Sequence, residues 1–185
     1  MAIESVKNLL GAAQKANTSI IAFDALDYDT IFSCIKGAEA ARRPVILMLY
    51  PAMNKIMSFR SFTEVVRALA QEASVPVALH LDHCSDFNTI LAAIHAGFTS
   101  VMVDGSALSF DENVEFTKSV VNVAKVFDVD VEGELGHGAV AAVFAYNEKA
   151  PLRPEDAALF AERRALPHWR WHSAVVMASI KICRS

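Results

Sequence analysis

Short apolar runs alternate with amphipathic segments along this chain, and this alternation constrains the fold more than any other feature. The amphipathic segments repeat their apolar residues at the spacing of an α-helix, whereas the apolar runs are continuous, as in buried strands. The runs are 19–23, 44–50, 75–81, 100–103 and 129–135, and the helical segments are 28–41, 61–72, 86–95 and 111–127. Continuous apolar strands separated by helices are typical of a parallel sheet covered by helices. The pattern predicts an α/β fold, with Ser61 as the N-cap of the second helix and Glu64 at its capping-box position.

Polar side chains capable of chemistry follow successive predicted strands. Asp24 follows the first, Asp82 and His83 the third, Asp104 the fourth and Glu134 the fifth. In a (β/α) barrel the carboxyl ends of all strands meet at the face that holds the active site. A doubly wound sheet also binds ligands at this edge, but it usually carries a glycine-rich phosphate turn, and the sequence has none. The positions favour a (β/α) barrel over a doubly wound sheet.

Composition indicates a globular chain and argues against several partners. Of the 185 residues, 54% are hydrophobic and 21% are charged, which is too apolar for a disordered chain, and no apolar run is long enough for a transmembrane helix. The N-terminus lacks a secretory signal pattern, so we expect a cytoplasmic protein with no membrane partner. The net charge of −4 predicts no nucleic-acid partner, and the three cysteines are expected to be reduced thiols.

The tetrapeptide His80-Leu81-Asp82-His83 is the strongest candidate for chemistry. Strand alternation places His80 and Asp82 on one face, and His83 can turn into the mouth of the barrel where the strand ends. A neutral imidazole is a good zinc ligand, and an adjacent carboxylate can act as an acid or base beside the metal. The alternative reading makes His80 a hydrogen-bonded core histidine, Asp82 a helix cap and His83 an exposed loop residue. The tetrapeptide alone leaves both readings open.

A longer stretch, from VPVALHLDHC to EGELGHG, resembles the class II ketose-bisphosphate aldolases, the fructose- and tagatose-bisphosphate aldolase family. The similarity is collinear from about Ser5 to Gly138, and its LDH, AGFTSVMVDGS and ELG segments are specific in combination. The resemblance implies a TIM (β/α)8 barrel that is incomplete here, with about the first five βα units present. The family cleaves a ketose 1,6-bisphosphate to dihydroxyacetone phosphate and an aldehyde with the help of Zn²⁺. The resemblance also implies a phosphorylated ketose and dihydroxyacetone phosphate as ligands, and a homo-oligomer in the intact parent.

The resemblance also implies roles for four residues of this chain. His83 corresponds to the first of three histidine ligands of the catalytic zinc, and Asp82 to the catalytic acid/base. Asp104 and Glu134 correspond to carboxylates that hold a second or displaced metal ion in some members. The chemistry is consistent, because a divalent cation stabilises charge on the ketone oxygen while a carboxylate takes the C4 hydroxyl proton. Asp104 as an ordinary turn residue and Glu134 as a solvated carboxylate remain alternatives.

The sequence departs from the family pattern in three places. Asp24 stands where an asparagine is common, residues 48–51 replace a segment that usually ends in small hydroxyl residues, and residues 139–145 replace a polar loop with an apolar one. These departures leave the sugar phosphate undetermined. His95 is interpreted as a residue of a helix C-terminus, and His137 receives no role.

Two segments are predicted along the chain. Residues 1–162 are expected to form the partial barrel, and residues 163–185 an aberrant tail unlike the family. Permitted codons from Arg164 onward, read one base earlier, give a segment that looks like the family's sixth strand and zinc-ligand loop. The resulting hypothesis is a frameshifted, truncated product. Sequencing the gene around the Arg163 codon tests it, and an intact frame ending at Ser185 would refute it.

The predicted truncation bears directly on activity. Of the three zinc histidines that the resemblance implies, only His83 lies in this chain, so we expect impaired or absent turnover. The alternative function is a non-catalytic α/β binding or assembly module that keeps the aldolase scaffold. A metal-free lyase would need a lysine at a strand end, and the five predicted strands place none there.

Overall fold

The protein is described by a computed structural model that covers residues 3–134 and 154–163. Within these ranges the chain forms five strands and six α-helices, together with 3-10 helices at Pro51–Lys55 and Lys125–Phe127. The strands are β1 (Ile21–Asp24), β2 (Val45–Leu49), β3 (Val77–Cys84), β4 (Ser100–Asp104) and β5 (Asp130–Glu134). The helices are α1 (Val6–Lys15), α2 (Tyr28–Ala41), α3 (Phe59–Glu72), α4 (Phe87–Ala96), α5 (Phe110–Ala124) and α6 (Pro154–Arg163).

All strand pairs are parallel, and the strands lie in the sheet in the order in which they occur along the chain, from β1 to β5. A doubly wound sheet reverses its strand order at a switch point, whereas a barrel adds each strand next to the previous one. The described strands therefore form part of a barrel wall, and the predicted fold class is confirmed.

The two faces of the sheet have different partners. Outward-facing apolar side chains such as Leu47, Leu79 and Val101 join the helices in one large buried core. The inner face is covered by α1 near the amino ends of the strands, where Val6 and Leu9 pack with Ile46 and Ala78. This arrangement leaves the carboxyl ends of the strands open for polar side chains.

The α3 helix begins earlier than the sequence pattern predicted. Ser58, not Ser61, is the N-cap, and its hydroxyl accepts a hydrogen bond from the Ser61 amide at 3.1 Å. The prediction of Ser61 as the cap was wrong because burial of Phe59 extends the helix by three residues toward its amino end. The fourth predicted helix also ends sooner, at Ala124, and continues as a 3-10 turn.

The remaining elements fit the predicted pattern, with additions. The α1 helix and the 3-10 helix after β2 were not predicted. Among the described residues α6 packs on α5, with the Phe160 ring 5.9 Å from that of Phe110. The predicted tail lies outside the described residues, apart from Arg163 at the end of α6.

The outer face of β1 is only partly covered. The side chains of Ile21 and Phe23 are exposed, although they point to the helix-bearing side of the sheet. An edge strand with exposed apolar residues is prone to association. Within the two described ranges, no helix combines the length and the apolar character needed to cross a membrane.

Phe98 forms a buried aromatic cluster with Phe59 and Phe62 of α3. Phe98 is fully buried and packs edge-on to Phe59, with ring centroids 5.5 Å apart, and stacks on Phe62 at 5.8 Å. We expect Phe98→Ala to lower the free energy of unfolding by about 3–5 kcal/mol, because it deletes a buried ring and leaves a cavity. Urea denaturation measures the change. Phe127→Ala is the matched control, since Phe127 is 58% exposed and its loss should cost little. Equal losses for the two variants would contradict the assigned core.

Candidate metal centre at the strand ends

A bulge in β3 brings Asp82 and His83 to the same rim. Leu81 pairs with Val101 and Cys84 pairs with Val103, so β3 advances three residues while β4 advances two. His83 takes up the extra residue in a left-handed conformation with φ 41°. Simple alternation would have sent neighbouring side chains to opposite faces, whereas the bulge re-aims His83 toward the rim.

His83 lies between two carboxylates from the next two strands. Its Nδ1 atom is 3.1 Å from Glu134 Oε2 and 3.4 Å from Asp104 Oδ2. One ligand atom from each of the three residues lies within 4.8 Å of the others. Asp104 and Glu134 are direct register partners at the ends of β4 and β5, so the pairing of these strands sets the spacing of the carboxylates.

The Glu134 side chain shows most clearly that a cation would fit. Its Oε2 atom is buried, and among the described residues it has no hydrogen-bond partner. The 3.1 Å approach to His83 is within ion-pair distance but does not meet hydrogen-bond geometry. Apart from the ion pair with His83, this buried oxygen has no partner among the described residues, and a bound divalent cation would satisfy it more fully.

His83 carries a positive charge in the absence of such a cation. The nearby Glu134 carboxylate raises the pKa of His83 to about 9, with further contributions from Asp82 and Asp104, and burial opposes the rise. The imidazolium therefore balances part of the negative charge at the rim. A metal ion and this proton compete for the same ring nitrogen.

Asp104 takes part both in the turn that follows β4 and in the cluster at the rim. Its Oδ1 atom accepts hydrogen bonds from the amide and the hydroxyl of Ser106, at 3.1 and 2.6 Å. Burial raises the pKa of Asp104, but these hydrogen bonds and the charge of His83 outweigh it, so the pKa is lowered overall. The turn interpretation and the rim position are thus both correct, because the two oxygens have different partners.

Asp82 and Asp24 add two more carboxylates near the strand ends, of which Asp82 is buried and Asp24 is exposed. Burial raises the pKa of Asp82, and Asp24, Glu134 and Asp104 raise it further against the lowering effect of His83. Burial also raises the pKa of Asp24. Sequence reasoning placed Asp24 at a strand end without giving it a role, and that position was the signal that could have found it.

The alternative reading of the tetrapeptide is correct for His80 only. His80 is buried, with Nδ1 2.8 Å from Ser100 Oγ, and burial lowers its pKa to about 4, so it is a neutral core histidine. Asp82 does not cap α4, because Asp86 is the N-cap and accepts a hydrogen bond from the Thr89 amide at 2.7 Å. His83 is half-buried within β3 and does not lie in an exposed loop.

Glu132 was missed by sequence reasoning. It lies two residues before Glu134 on the same face of β5, and its Oε2 atom is 3.5 Å from His80 Nε2. Burial raises the pKa of Glu132 to about 7. A second glutamate at even spacing on a strand was the available signal.

A parallel barrel wall with an imidazole and carboxylates at its carboxyl rim defines the class of protein, a (β/α) barrel with a candidate cation site. A family model for class II fructose-bisphosphate aldolase matches residues 4–166. The chain therefore belongs to the class II fructose-bisphosphate aldolase family.

Individual relatives agree with this assignment. The fructose-bisphosphate aldolase of Thermus caldophilus is 41% identical over 158 residues, which cover 84% of this chain and 52% of the relative. The sulfofructosephosphate aldolase of Alkalicoccus urumqiensis is 36% identical over 166 residues, which cover 88% and 58%. The crystal structure of the YdjI aldolase from Escherichia coli K12 is 30% identical with a TM-score of 0.75, covering 89% of this chain and 57% of that one. The chain thus spans about half the length of the curated relatives it matches.

The charge state of His83 generates a prediction about metal binding. Since the folded pKa is about 9, the ring is protonated at neutral pH and must lose its proton to bind a metal ion. We expect the apparent Zn²⁺ affinity to rise roughly tenfold per pH unit from pH 6 to 8, as one proton is displaced. Competition with a chelating dye measures the affinity. His95→Asn, at an exposed position on α4, should keep this slope, and His83→Asn should abolish it. A flat pH profile would rule out His83 as a ligand.

Proposed function

We propose that this chain carries the metal-binding rim of a class II ketose-bisphosphate aldolase, which performs zinc-dependent retro-aldol cleavage of a ketose 1,6-bisphosphate. The observation that carries the proposal is the cluster of His83, Asp104 and Glu134, with the buried Asp82 beside it. Family membership over residues 4–166 supports it independently.

His83, Asp104 and Glu134 are the residues that would hold the cation. An imidazole with two carboxylates is a donor set that suits Zn²⁺, and the unpartnered Glu134 oxygen supports the fit. When bound, the zinc ion supplies Lewis-acid stabilisation of negative charge on the ketone oxygen. The carboxylates at the strand ends give the rim a negative potential that attracts a cation.

Asp82 is proposed as the acid/base at the C4 hydroxyl. Its burial and the three neighbouring carboxylates raise its pKa, which brings proton transfer closer to neutral pH. The β3 bulge fixes this carboxylate next to His83, and so next to the proposed cation site. Asp82 would take the hydroxyl proton during cleavage and return it in the reverse, condensing direction.

The substrate is proposed as a phosphorylated ketose of the fructose or tagatose type, with dihydroxyacetone phosphate and an aldehyde as products. The names of the relatives above include a fructose-bisphosphate and a sulfofructosephosphate aldolase, so the phosphorylated ketose is the shared chemistry. The cytoplasmic address expected from the sequence and the homo-oligomeric parent implied by the resemblance are parts of the same proposal. The alternative is a binding or assembly module without turnover.

An Asp82→Asn variant tests the catalytic part. We expect purified wild-type chain to contain zinc and to cleave fructose or tagatose 1,6-bisphosphate, more slowly than an enzyme with all three zinc histidines. Asp82→Asn should lower the cleavage rate by about 10²–10⁴-fold while zinc content stays the same, because a positioned proton acceptor is lost. Metal analysis and a coupled assay for dihydroxyacetone phosphate measure the two quantities.

Asp29→Asn is the matched control, because it makes the same chemical change at an exposed position on α2. Its zinc content and cleavage rate should equal those of wild type. Zinc-loaded wild-type chain without any turnover would favour the binding or assembly module. Turnover that is insensitive to Asp82→Asn would exclude Asp82 as the acid/base.

A further inference from the structure

Asn113 is a buried amide whose position calls for an explanation. It lies in the first turns of α5 and is only 2% exposed. Asparagine is a poor helix former, and a buried amide costs free energy unless it is hydrogen-bonded. An apolar residue would suit this helix better if packing were its only role.

The amide spans the gap between α5 and the end of β5. Its Nδ2 atom donates a hydrogen bond of 2.7 Å to the backbone carbonyl oxygen of Glu134, the last described residue of that strand. Its Oδ1 atom accepts a hydrogen bond of 3.2 Å from the Thr117 hydroxyl one turn later in the helix. Both polar groups are satisfied, so the orientation of the amide is fixed.

The same amide lies against the residue that follows β4. A Cβ atom built on Gly105 would overlap the side-chain amide of Asn113, so only glycine leaves space for it there. Gly105 directly follows Asp104 in the chain. The contacted carbonyl group belongs to Glu134 itself, so each contact lies next to a rim carboxylate. One side chain therefore contacts the backbone at both strand ends that carry the rim carboxylates.

We propose that Asn113 is a positioning residue that sets the spacing of the Asp104 and Glu134 carboxylates. It reaches neither the cation nor the substrate, and acts through the backbone at Gly105 and Glu134. The inference rests on the proposed function only in that these carboxylates hold the metal ion. Residues that orient metal ligands in this way typically change metal affinity by about 10–100-fold when they are replaced.

Asn113→Leu tests the proposal, because leucine has a similar size and cannot donate to Glu134. With Co²⁺ as the probe, we expect a loss of affinity of about 10–100-fold and a shift of the ligand-field absorption bands. Val121→Ala is the stability control, since it removes buried packing from the same helix without reaching the strand ends. It should lower the melting temperature and leave the Co²⁺ affinity and spectrum unchanged. Wild-type affinity and spectrum in Asn113→Leu would overturn the proposal.

Two further variants test the same proposal if Asn113→Leu does not fold. Asn113→Asp keeps the shape but turns an acceptor toward the Glu134 carbonyl, and Gly105→Ala displaces the amide from the strand side. Both should shift the Co²⁺ spectrum in the manner expected for Asn113→Leu. A wild-type spectrum in either folded variant would count against the role of Asn113.

Hydrogen–deuterium exchange of the metal-free chain separates this inference from the proposed function. Asn113→Leu should speed exchange in the peptide that covers 130–134, beyond any increase seen in Val121→Ala. If exchange is faster in Asn113→Leu but wild type does not bind Co²⁺, the metal site is refuted and the positioning of the strand ends is upheld. Equal exchange in the two variants would overturn the proposal whether or not wild type binds Co²⁺.

Discussion

The one-residue bulge between Leu81 and Cys84 is the feature on which the site depends. A regular strand would direct Asp82 and His83 to opposite faces, leaving one side chain at the rim and the other under the helices. The bulge and the left-handed conformation of His83 bring both to the carboxyl rim. A non-glycine residue in that conformation costs about 1–2 kcal/mol, and the surrounding sheet offsets this cost. Local strain of this kind is often concentrated at functional positions.

At this rim several negatively charged carboxylates lie near one cationic group, the His83 imidazolium. Carboxylates from β3, β4 and β5 lie near the His83 ring and keep it protonated, and Asp24 of β1 adds further negative charge. Such a group of acids, of which Asp82 and Glu134 are buried, destabilises the folded chain unless positive charge is supplied. A proton on His83 supplies part of it, and a divalent cation would supply more. The electrostatic balance and the proposed zinc site are therefore two consequences of the same placement of residues.

Supporting interactions behind the rim lie on both sides of the sheet. On the inner side, His80 and Ser100 form a buried hydrogen bond, and Glu132 lies close to the same imidazole. On the helix side, Asn113 joins α5 to the carbonyl of Glu134. Both groups are polar and buried, and they restrain the strands at the depth where the ligands begin. Ligand groups on strands restrained in this way keep their spacing when no cation is bound.

The sequence by itself determined the parallel α/β architecture, the order of its elements and the presence of Asp82, Asp104 and Glu134 at strand ends, because apolar periodicity and strand polarity are local properties. Only the tertiary structure decided that His83 turns inward, that Ser58 caps α3 and that Glu132 lies half-buried beside His80. The contact of Asn113 with Glu134 likewise joins residues 21 positions apart. These features depend on the pairing of separate strands and on packing against distant helices. No pattern within a few residues of each position encodes such long-range contacts.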